Sequence, residues 1–268
     1  MLPVSGGYNF TDSLLFCNHK AEYFVRAVNS AGESADSNHD NAVTVPCAPR
    51  IETVNALTAT AVRVVYTDKS TNEEGFRIYR IGSADALVQA ILPLPDSNHL
   101  GEGFPGGLPC GQKYSYYVKA FNDAGESTAS ATKDATTSAC TVTVTFDSLY
   151  VFDDLNAFGP GQFYCGLYSS AVNPRENDIP GRRWPNNGYV EINTGREKPI
   201  NITMNGVNLL RTQDLFLWVY CHRENFGFEP LFGGFTKQLG AENWSTDQRC
   251  EVTNDVKFRV CYTIKVTP

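Results

Sequence analysis

Two cysteine pairs with the same internal spacing constrain this chain more than any other feature. Each end of the segment Cys110–Cys140 lies 15 residues from Gly125, and each end of Cys17–Cys47 lies 15 residues from Gly32. Positions equidistant from the turn of an antiparallel hairpin face each other. The spacing therefore predicts two disulfides, Cys17 with Cys47 and Cys110 with Cys140, each across its own hairpin.

The residues between these cysteines also repeat, at an offset of 93 positions. Apolar and polar residues alternate over 114–121, which is the period of a half-buried strand. The turn Ala124-Gly125-Glu126-Ser127 has its counterpart in Ala31-Gly32-Glu33-Ser34. Glycine in such a turn can adopt positive φ without strain. A repeat of this period predicts tandem domains.

Composition excludes several classes of protein. The chain has 268 residues, of which 42% are hydrophobic and 19% charged, so it is globular and long enough for about two domains. Its strand-forming and turn-forming residues and the lack of a sustained helical period predict an all-β fold. A net charge of −7 argues against nucleic acid or an anionic membrane as partner. No apolar run is long enough for membrane insertion as a helix.

Cysteine usage predicts the compartment. Eight cysteines in a patterned, even set indicate an oxidising, extracellular or cell-surface location. Sequons at Asn9, Asn201 and Asn243 fit that location. Residues 1–7 have neither the basic start nor the apolar core of a signal peptide. We therefore expect either that a signal was removed or, preferably, that the sequence is a piece of a longer exported polypeptide.

A family resemblance covers residues 48–140. Residues 62–66 resemble strand B of a fibronectin type III domain, 72–80 its B–C loop and strand C, and 108–120 its E–F corner and strand F. Residues 8–47 resemble strands E to G of a preceding copy whose front half is missing. The resemblance implies β-sandwich modules that act as spacers or binding units, with no chemistry of their own.

The predicted organisation has three parts: a partial fibronectin type III unit (1–47), a complete unit (48–140) and a C-terminal β-sandwich (141–268). The fold class is all-β, with tandem immunoglobulin-like sandwiches.

In the complete unit we expect strands before Cys110 at 51–57, 61–66, 75–81 and 87–92, and loops at 67–74 and 93–109. In the C-terminal part, which loosely resembles C2-like sandwiches, we expect about eight strands, including 141–146 continued by 149–152, 162–168, 189–192, 200–204, 215–221 and 258–266, with glycine-rich loops at 159–161, 185–188 and 233–234.

The four remaining cysteines allow three connectivities. Cys250 and Cys261 flank the turn signal 253–255, so a bridge across that hairpin is the favoured pairing. Cys165 and Cys221 would then join two other strands.

No catalytic or zinc motif stands out in the sequence, which predicts a protein that is not an enzyme and needs no cofactor. Asp153, Asp154 and Asn156, near Asp147, offer oxygen ligands that could hold Ca²⁺. The alternative, which we favour, is that they are turn residues on an acidic surface, because calcium needs six or more oxygens.

The tryptophans suggest contact residues. The apolar run 215–220 predicts a strand buried on both sides, which would place Trp218 in the core. Trp184 follows Arg182 and Arg183 and precedes a proline, so we expect it in a loop. These three residues are the candidate contacts for a protein or a glycan.

Two functions follow from these observations. The first is a non-catalytic extracellular structural or adhesive protein, a segment or subunit of a surface or filament assembly. Residues 8–47 supply too few strands for a sandwich, so we expect protein partners through self-association or head-to-tail assembly. The alternative is a carbohydrate- or calcium-binding accessory module of a larger secreted enzyme.

Overall fold

A computed structural model describes residues 9–92, 99–154, 159–173, 181–224, 231–253 and 255–268. Almost all regular structure in these ranges is β-strand, with one short 3₁₀ turn at Ala241–Asn243. None of the helical structure in these ranges has the length and apolarity needed to cross a membrane. The chain forms two compact units: the first is Met1–Ala56, Ala61–Gly106 and Lys113–Ala135, and the second is Leu57–Thr60, Gly107–Gln112 and Thr136–Pro268.

Twelve strands precede Cys140 in the described residues. They are β1 (Lys20–Tyr23), β2 (Val28–Asn29), β3 (Gly32–Glu33), β4 (Asp40–Val43), β5 (Arg50–Ala56), β6 (Val62–Thr67), β7 (Gly75–Arg80), β8 (Ala86–Ile91), β9 (Leu100–Gly103), β10 (Lys113–Asn122), β11 (Gly125–Glu126) and β12 (Lys133–Thr136). The ten that follow are β13 (Cys140–Val151), β14 (Gly161–Ser170), β15 (Arg182–Trp184), β16 (Val190–Ile192), β17 (Arg196–Thr203), β18 (Val207–Leu209), β19 (Leu215–Arg223), β20 (Leu231–Leu239), β21 (Arg249–Val252) and β22 (Phe258–Thr267).

The first unit contains a two-sheet sandwich. One sheet has the order β5-β6-β9, and the other has the order β11-β10-β7-β8 with β12 also pairing with β10. Alternate residues of the strands point inward, as the period of two in the sequence predicts. The inward side chains are fully or almost fully buried; they include Ile51, Val54, Val62, Val64, Tyr66, Phe76, Ile78, Tyr116, Val118 and Ala120.

One strand of this sandwich lies where the sequence predicts a loop. Strand β9 falls within 93–109 and pairs with β6. Its glycines lower strand propensity, but they are needed here: a Cβ atom on Gly101 would overlap the ring of Tyr66, and one on Gly103 would overlap Ile78. Glycine in a strand often marks such a close approach. The loop prediction was wrong because two buried neighbours, distant in sequence, fix these positions.

The two copies of the repeat share their hydrogen bonds as well as their sequence. Ser127 Oγ accepts from the backbone N–H of Ala120 at 3.0 Å, and Ser34 Oγ accepts from that of Ala27 at 3.0 Å. A second serine behaves in the same way in each copy, with Ser130 bound to Val118 and Ser37 to Val25. The turn glycines have φ values of 131° and 133°. The hairpin of the partial copy is therefore built like the hairpin of the complete one.

The second unit is a sandwich of two five-stranded antiparallel sheets. One has the order β17-β13-β22-β21, with β18 also on β13; the other has the order β15-β14-β19-β20, with β16 also on β14. Buried residues of both sheets form one hydrophobic cluster. Residues 140–151 form a single strand with a bulge between Phe146 and Ser148, where the sequence suggests two runs.

Strand β20 is a second correction. The sequence predicts Gly233-Gly234 in a loop, yet the pair lies within β20 and is paired with Cys221 and Tyr220 of β19. A Cβ atom on Gly234 would approach the carbonyl oxygen of Val219 to 2.7 Å. Packing against β19 thus requires glycine in the middle of a strand. The short strands β15 and β18 are further elements that the sequence pattern does not predict, whereas β21 is the first strand of the hairpin predicted between Cys250 and Cys261.

Four disulfides are present, and the described residues contain no free cysteine. Cys110–Cys140 and Cys17–Cys47 have Cα–Cα distances of 5.1 and 4.9 Å. Cys165–Cys221 joins directly opposed residues of β14 and β19, and Cys250–Cys261 does the same for β21 and β22, each with a Cα–Cα distance of 4.0 Å.

Candidate functional site

The partial copy exposes residues that are core in the complete copy. Val25 is 72% exposed, whereas its counterpart Val118 is fully buried. Other large apolar side chains in this region are also exposed: Phe10, Leu14, Phe16, Phe24 and Val28. Scattered exposed apolar residues are normal, whereas a concentration of them is a candidate interaction surface. We call residues 9–47 the half-unit.

Polar contacts hold the base of the half-unit within the first unit. Asn18 Oδ1 accepts from the backbone N–H of Thr71 at 3.0 Å and from its hydroxyl at 3.2 Å. The carbonyl oxygen of Thr44 accepts from the side-chain amides of Asn72 at 2.9 Å and Asn122 at 3.0 Å. The base is thereby fixed, while the apolar side chains further along the hairpin stay exposed.

A charged cluster distinguishes the complete hairpin from the partial one. Glu126 Oε1 accepts from Arg77 at 2.7 Å and Tyr79 at 2.6 Å, and Oε2 accepts from Lys119 at 3.1 Å. Burial favours a higher pKa for Glu126, but these three hydrogen bonds outweigh it and lower the pKa to about 2. The corresponding Glu33 pairs with Arg26 at 3.2 Å on an exposed surface.

The lowered pKa of Glu126 predicts that part of the stability of the first unit is lost in acid. The pKa of this carboxyl is lower in the folded state than in the unfolded state, so its stabilising contribution is complete above about pH 4.5 and is lost as the pH falls towards 2. We expect Glu126→Gln to cost about 1–3 kcal/mol at pH 7 and to flatten stability between pH 4.5 and 2, after discounting for partial exposure. Urea unfolding at several pH values measures this. Glu33→Gln is the matched control, and an equal loss there would contradict the assignment.

The second unit carries an aromatic outer surface on the sheet formed by β14, β19 and β20. Even-numbered residues of β19 point outward, so Trp218 is half-buried on the surface rather than in the core as predicted. With its neighbours it forms what we call the aromatic face: Tyr164, Tyr168, Trp218, Tyr220 and His222. The apolar run 215–220 is buried on one side only, which corrects the prediction of a strand buried on both.

Polar atoms and glycines organise this aromatic face. The hydroxyls of Tyr168 and Tyr220 are hydrogen-bonded at 2.9 Å. Burial and this hydrogen bond raise the pKa of Tyr168 to about 12. Tyr164 and His222 stack with their ring centroids 4.8 Å apart. A Cβ atom on Gly166 would overlap the ring of Tyr220, so that ring lies across the glycine.

A groove of about 560 Å³ runs beside these rings. Its described lining comes from β19 and β20 only: Trp218, Tyr220, His222, Leu231, Gly234, Phe235 and Thr236. Small-molecule sites commonly have volumes of about 300–1,000 Å³, with aromatic walls and few polar groups. The sequence does not single out Tyr220, His222, Leu231, Phe235 and Thr236, because their common face becomes visible only when β19 and β20 are paired.

The contact residues predicted around Trp184 are dispersed. Trp184 is only 8% exposed and lies in β15, where it joins the core; the predicted loop position is wrong. The guanidinium of Arg183 lies over the ring of Tyr164 at 4.2 Å and therefore borders the aromatic face. Arg182 donates a hydrogen bond to Asn205 Oδ1 at 3.4 Å. A contact role for Arg182 and Arg183 remains a prediction.

The calcium hypothesis gains no support from the described residues. Asp154 is buried and accepts hydrogen bonds from Thr194 Oγ1 at 3.0 Å and the backbone N–H of Gly161 at 3.2 Å. Within the described ranges no three His, Cys, Asp or Glu side chains are grouped to hold a metal, Asp153 included. Asn156 lies outside those ranges.

Together, the sheet topology and the four disulfides define an all-β protein built of β-sandwiches. Two solved structures of fibronectin type III domains are similar to the chain. A crystal structure of FN3tt has 20% identity, covering 35% of this chain and 97% of that one with a TM-score of 0.29. The FN1–FN3 domains of chicken CNTN1 have 13% identity, covering 84% and 77%, with a TM-score of 0.30. No protein-family model and no curated protein sequence matches the chain.

Proposed function

We propose that this is a non-catalytic, extracellular structural or adhesive protein, whose half-unit is completed by strands from outside residues 48–268. One observation carries the proposal: Val25 is 72% exposed while its repeat counterpart Val118 is fully buried. Both lie in hairpins with the same serine hydrogen bonds and the same disulfide spacing. The half-unit is thus preformed for a sandwich whose other strands it does not contain.

Physical chemistry favours completion by protein. The half-unit combines exposed apolar side chains with short strands that have few partners, since β1 pairs only with β4 and β2 only with β3 among the described strands. Unpaired strand edges beside apolar surface are the usual sites of strand addition and sheet packing. The completing strands come either from a preceding segment of the same polypeptide or from a neighbouring chain. The second route gives a head-to-tail and potentially filamentous assembly.

Four disulfides support the extracellular part of the proposal. Bonds of this kind form and persist in oxidising compartments. The disulfide of the half-unit would hold its hairpin in shape before the missing strands arrive.

Solution mass and hydrogen exchange test the proposal on this chain. We expect a mass that rises above the monomer with concentration, or else a monomer whose amides over residues 23–27 exchange much faster than those over 116–120. The second segment is the internal control, because it is the buried counterpart of the first. A monomer with equal protection in both segments would show that the half-unit is self-sufficient and would remove the assembly hypothesis.

A carbohydrate-binding role is the second candidate function. The aromatic face and its groove favour it. They belong to the second unit, whereas the residues that support the structural proposal belong to the first.

A further inference from the structure

We propose that the groove beside the aromatic face binds an uncharged oligosaccharide, with one sugar ring stacked on Trp218 and its hydroxyls bonded along Tyr220, His222 and Thr236. This site is independent of the half-unit. Of the contact residues that the sequence suggests, Trp184 is buried and takes no part in this site, and Arg183 lies at its border.

The two outer faces of the second unit differ in how many aromatic rings they carry. On the opposite sheet, β13 presents Thr141, Thr143 and Thr145 beside Lys265 and Thr263 of β22, and its described aromatic content is one pair at the end of the strand, Tyr150 with Phe152. Threonine and lysine are ordinary for a solvated strand face. Five aromatic or imidazole rings on the other face are not. Tyr168 is buried among them, while Tyr164, Trp218, Tyr220 and His222 are half-buried, so part of their ring surface faces solvent and is available to a ligand.

Local geometry leaves ring surface accessible on the groove side. The ring of Tyr220 lies across Gly166 of β14, away from its other cross-strand neighbour, Gly234 of β20. Gly234 has no side chain to fill the space above it. Trp218 lies opposite Thr236, which places a hydroxyl next to an indole. The groove therefore has aromatic side chains and the backbone of Gly234 in its lining.

The chemistry of the lining selects the ligand class. None of the described lining residues carries a carboxylate, an ammonium or a guanidinium, and the guanidinium of Arg183 at the border of the face is placed over the ring of Tyr164, so the described lining favours an uncharged ligand. Their polar atoms sit at the rims of rings: an indole N–H, a phenol, an imidazole and a hydroxyl. A sugar ring presents apolar C–H faces and polar edges, and it therefore matches both features at once. A proline-rich peptide also packs on aromatic grooves, but it offers few donors to these polar rims.

Titration with defined probes tests the proposal. Cellohexaose, xylohexaose, mannohexaose and N-acetylchitohexaose would each be titrated into the intact chain, with a decaproline peptide in parallel. Calorimetry and tryptophan fluorescence give the affinity. We expect at least one saccharide to bind with a Kd below about 10 mM and decaproline not to bind. Absence of saccharide binding, or binding of decaproline alone, overturns the proposal.

Variants on one strand localise the site. Trp218→Ala should weaken saccharide binding about tenfold or more, and His222→Ala should weaken it to a smaller extent. Phe216→Ala is the matched control, because Phe216 lies on the same strand and the same face but outside the groove lining. It should leave affinity unchanged. An equal loss in the control, or no loss in Trp218→Ala with unchanged thermal stability, places binding elsewhere. Solution mass should not change, which separates this test from that of the half-unit.

Discussion

Val118→Asp is expected to unfold the first unit. Val25→Asp, at the matching position of the half-unit, should leave the stability of the first unit almost unchanged. Val118 is fully buried between two sheets, and an unpaired carboxylate there costs several kcal/mol. Whole domains are stable by only about 5–15 kcal/mol. Val25 is mostly solvent-exposed, and such substitutions change stability by about 0.5 kcal/mol or less.

Hydrogen exchange resolved by segment measures both variants, since it reports each unit separately. Amides over 116–120 should lose protection in Val118→Asp, and amides in the second unit serve as the reference. If Val25→Asp destabilises the monomer as strongly, then Val25 is covered within the isolated chain, and the contrast between the copies is lost. If it instead abolishes self-association without unfolding, the assembly form of the proposal gains direct support.

Removal of the Cys110–Cys140 disulfide is the second large expected effect. The double variant Cys110→Ala with Cys140→Ala should cost about 4 kcal/mol of folding stability, because the bond closes a separation of 30 residues, most of them in the first unit, and both cysteines lie in the hydrophobic cluster of the second unit. Urea unfolding followed by tryptophan fluorescence measures the loss, since the three tryptophans, Trp184, Trp218 and Trp244, all lie in this unit.

The half-unit again supplies the matched control. Cys17–Cys47 has the same separation of 30 residues, but Cys17 is exposed and the bond lies outside both cores. Replacing this pair with alanine should increase exchange over residues 20–43 and leave the unfolding of the second unit unchanged. A comparable loss of global stability from both double variants would mean that the half-unit contributes to the folded core, contrary to its exposure.

Local patterns in the amino-acid sequence determine several features of this protein by themselves. The symmetry of each cysteine pair about a turn glycine depends only on hairpin geometry, which is why the structure joins the same partners. Strands β6, β7 and β10 follow from alternating side chains, because that period is a property of the strand itself. The repeat accounts for the likeness of the two hairpins down to their serine hydrogen bonds.

Only the tertiary structure shows that Gly101 and Gly234 lie in strands and that Trp184 lies in the core. In the sequence, Gly101 and Gly234 resemble loop residues. Both lie in strands, and both positions require glycine because Tyr66 and β19 approach them too closely for a side chain. The run 215–220 is apolar throughout, so hydrophobicity could not show which side faces the core. The position of Cys221 nevertheless indicates the side. Its disulfide points inward, so the odd-numbered residues of β19 face the core and Trp218, an even-numbered residue, faces outward. Trp184 became core because β15 pairs with β14 opposite Cys165, a long-range contact that no local pattern encodes.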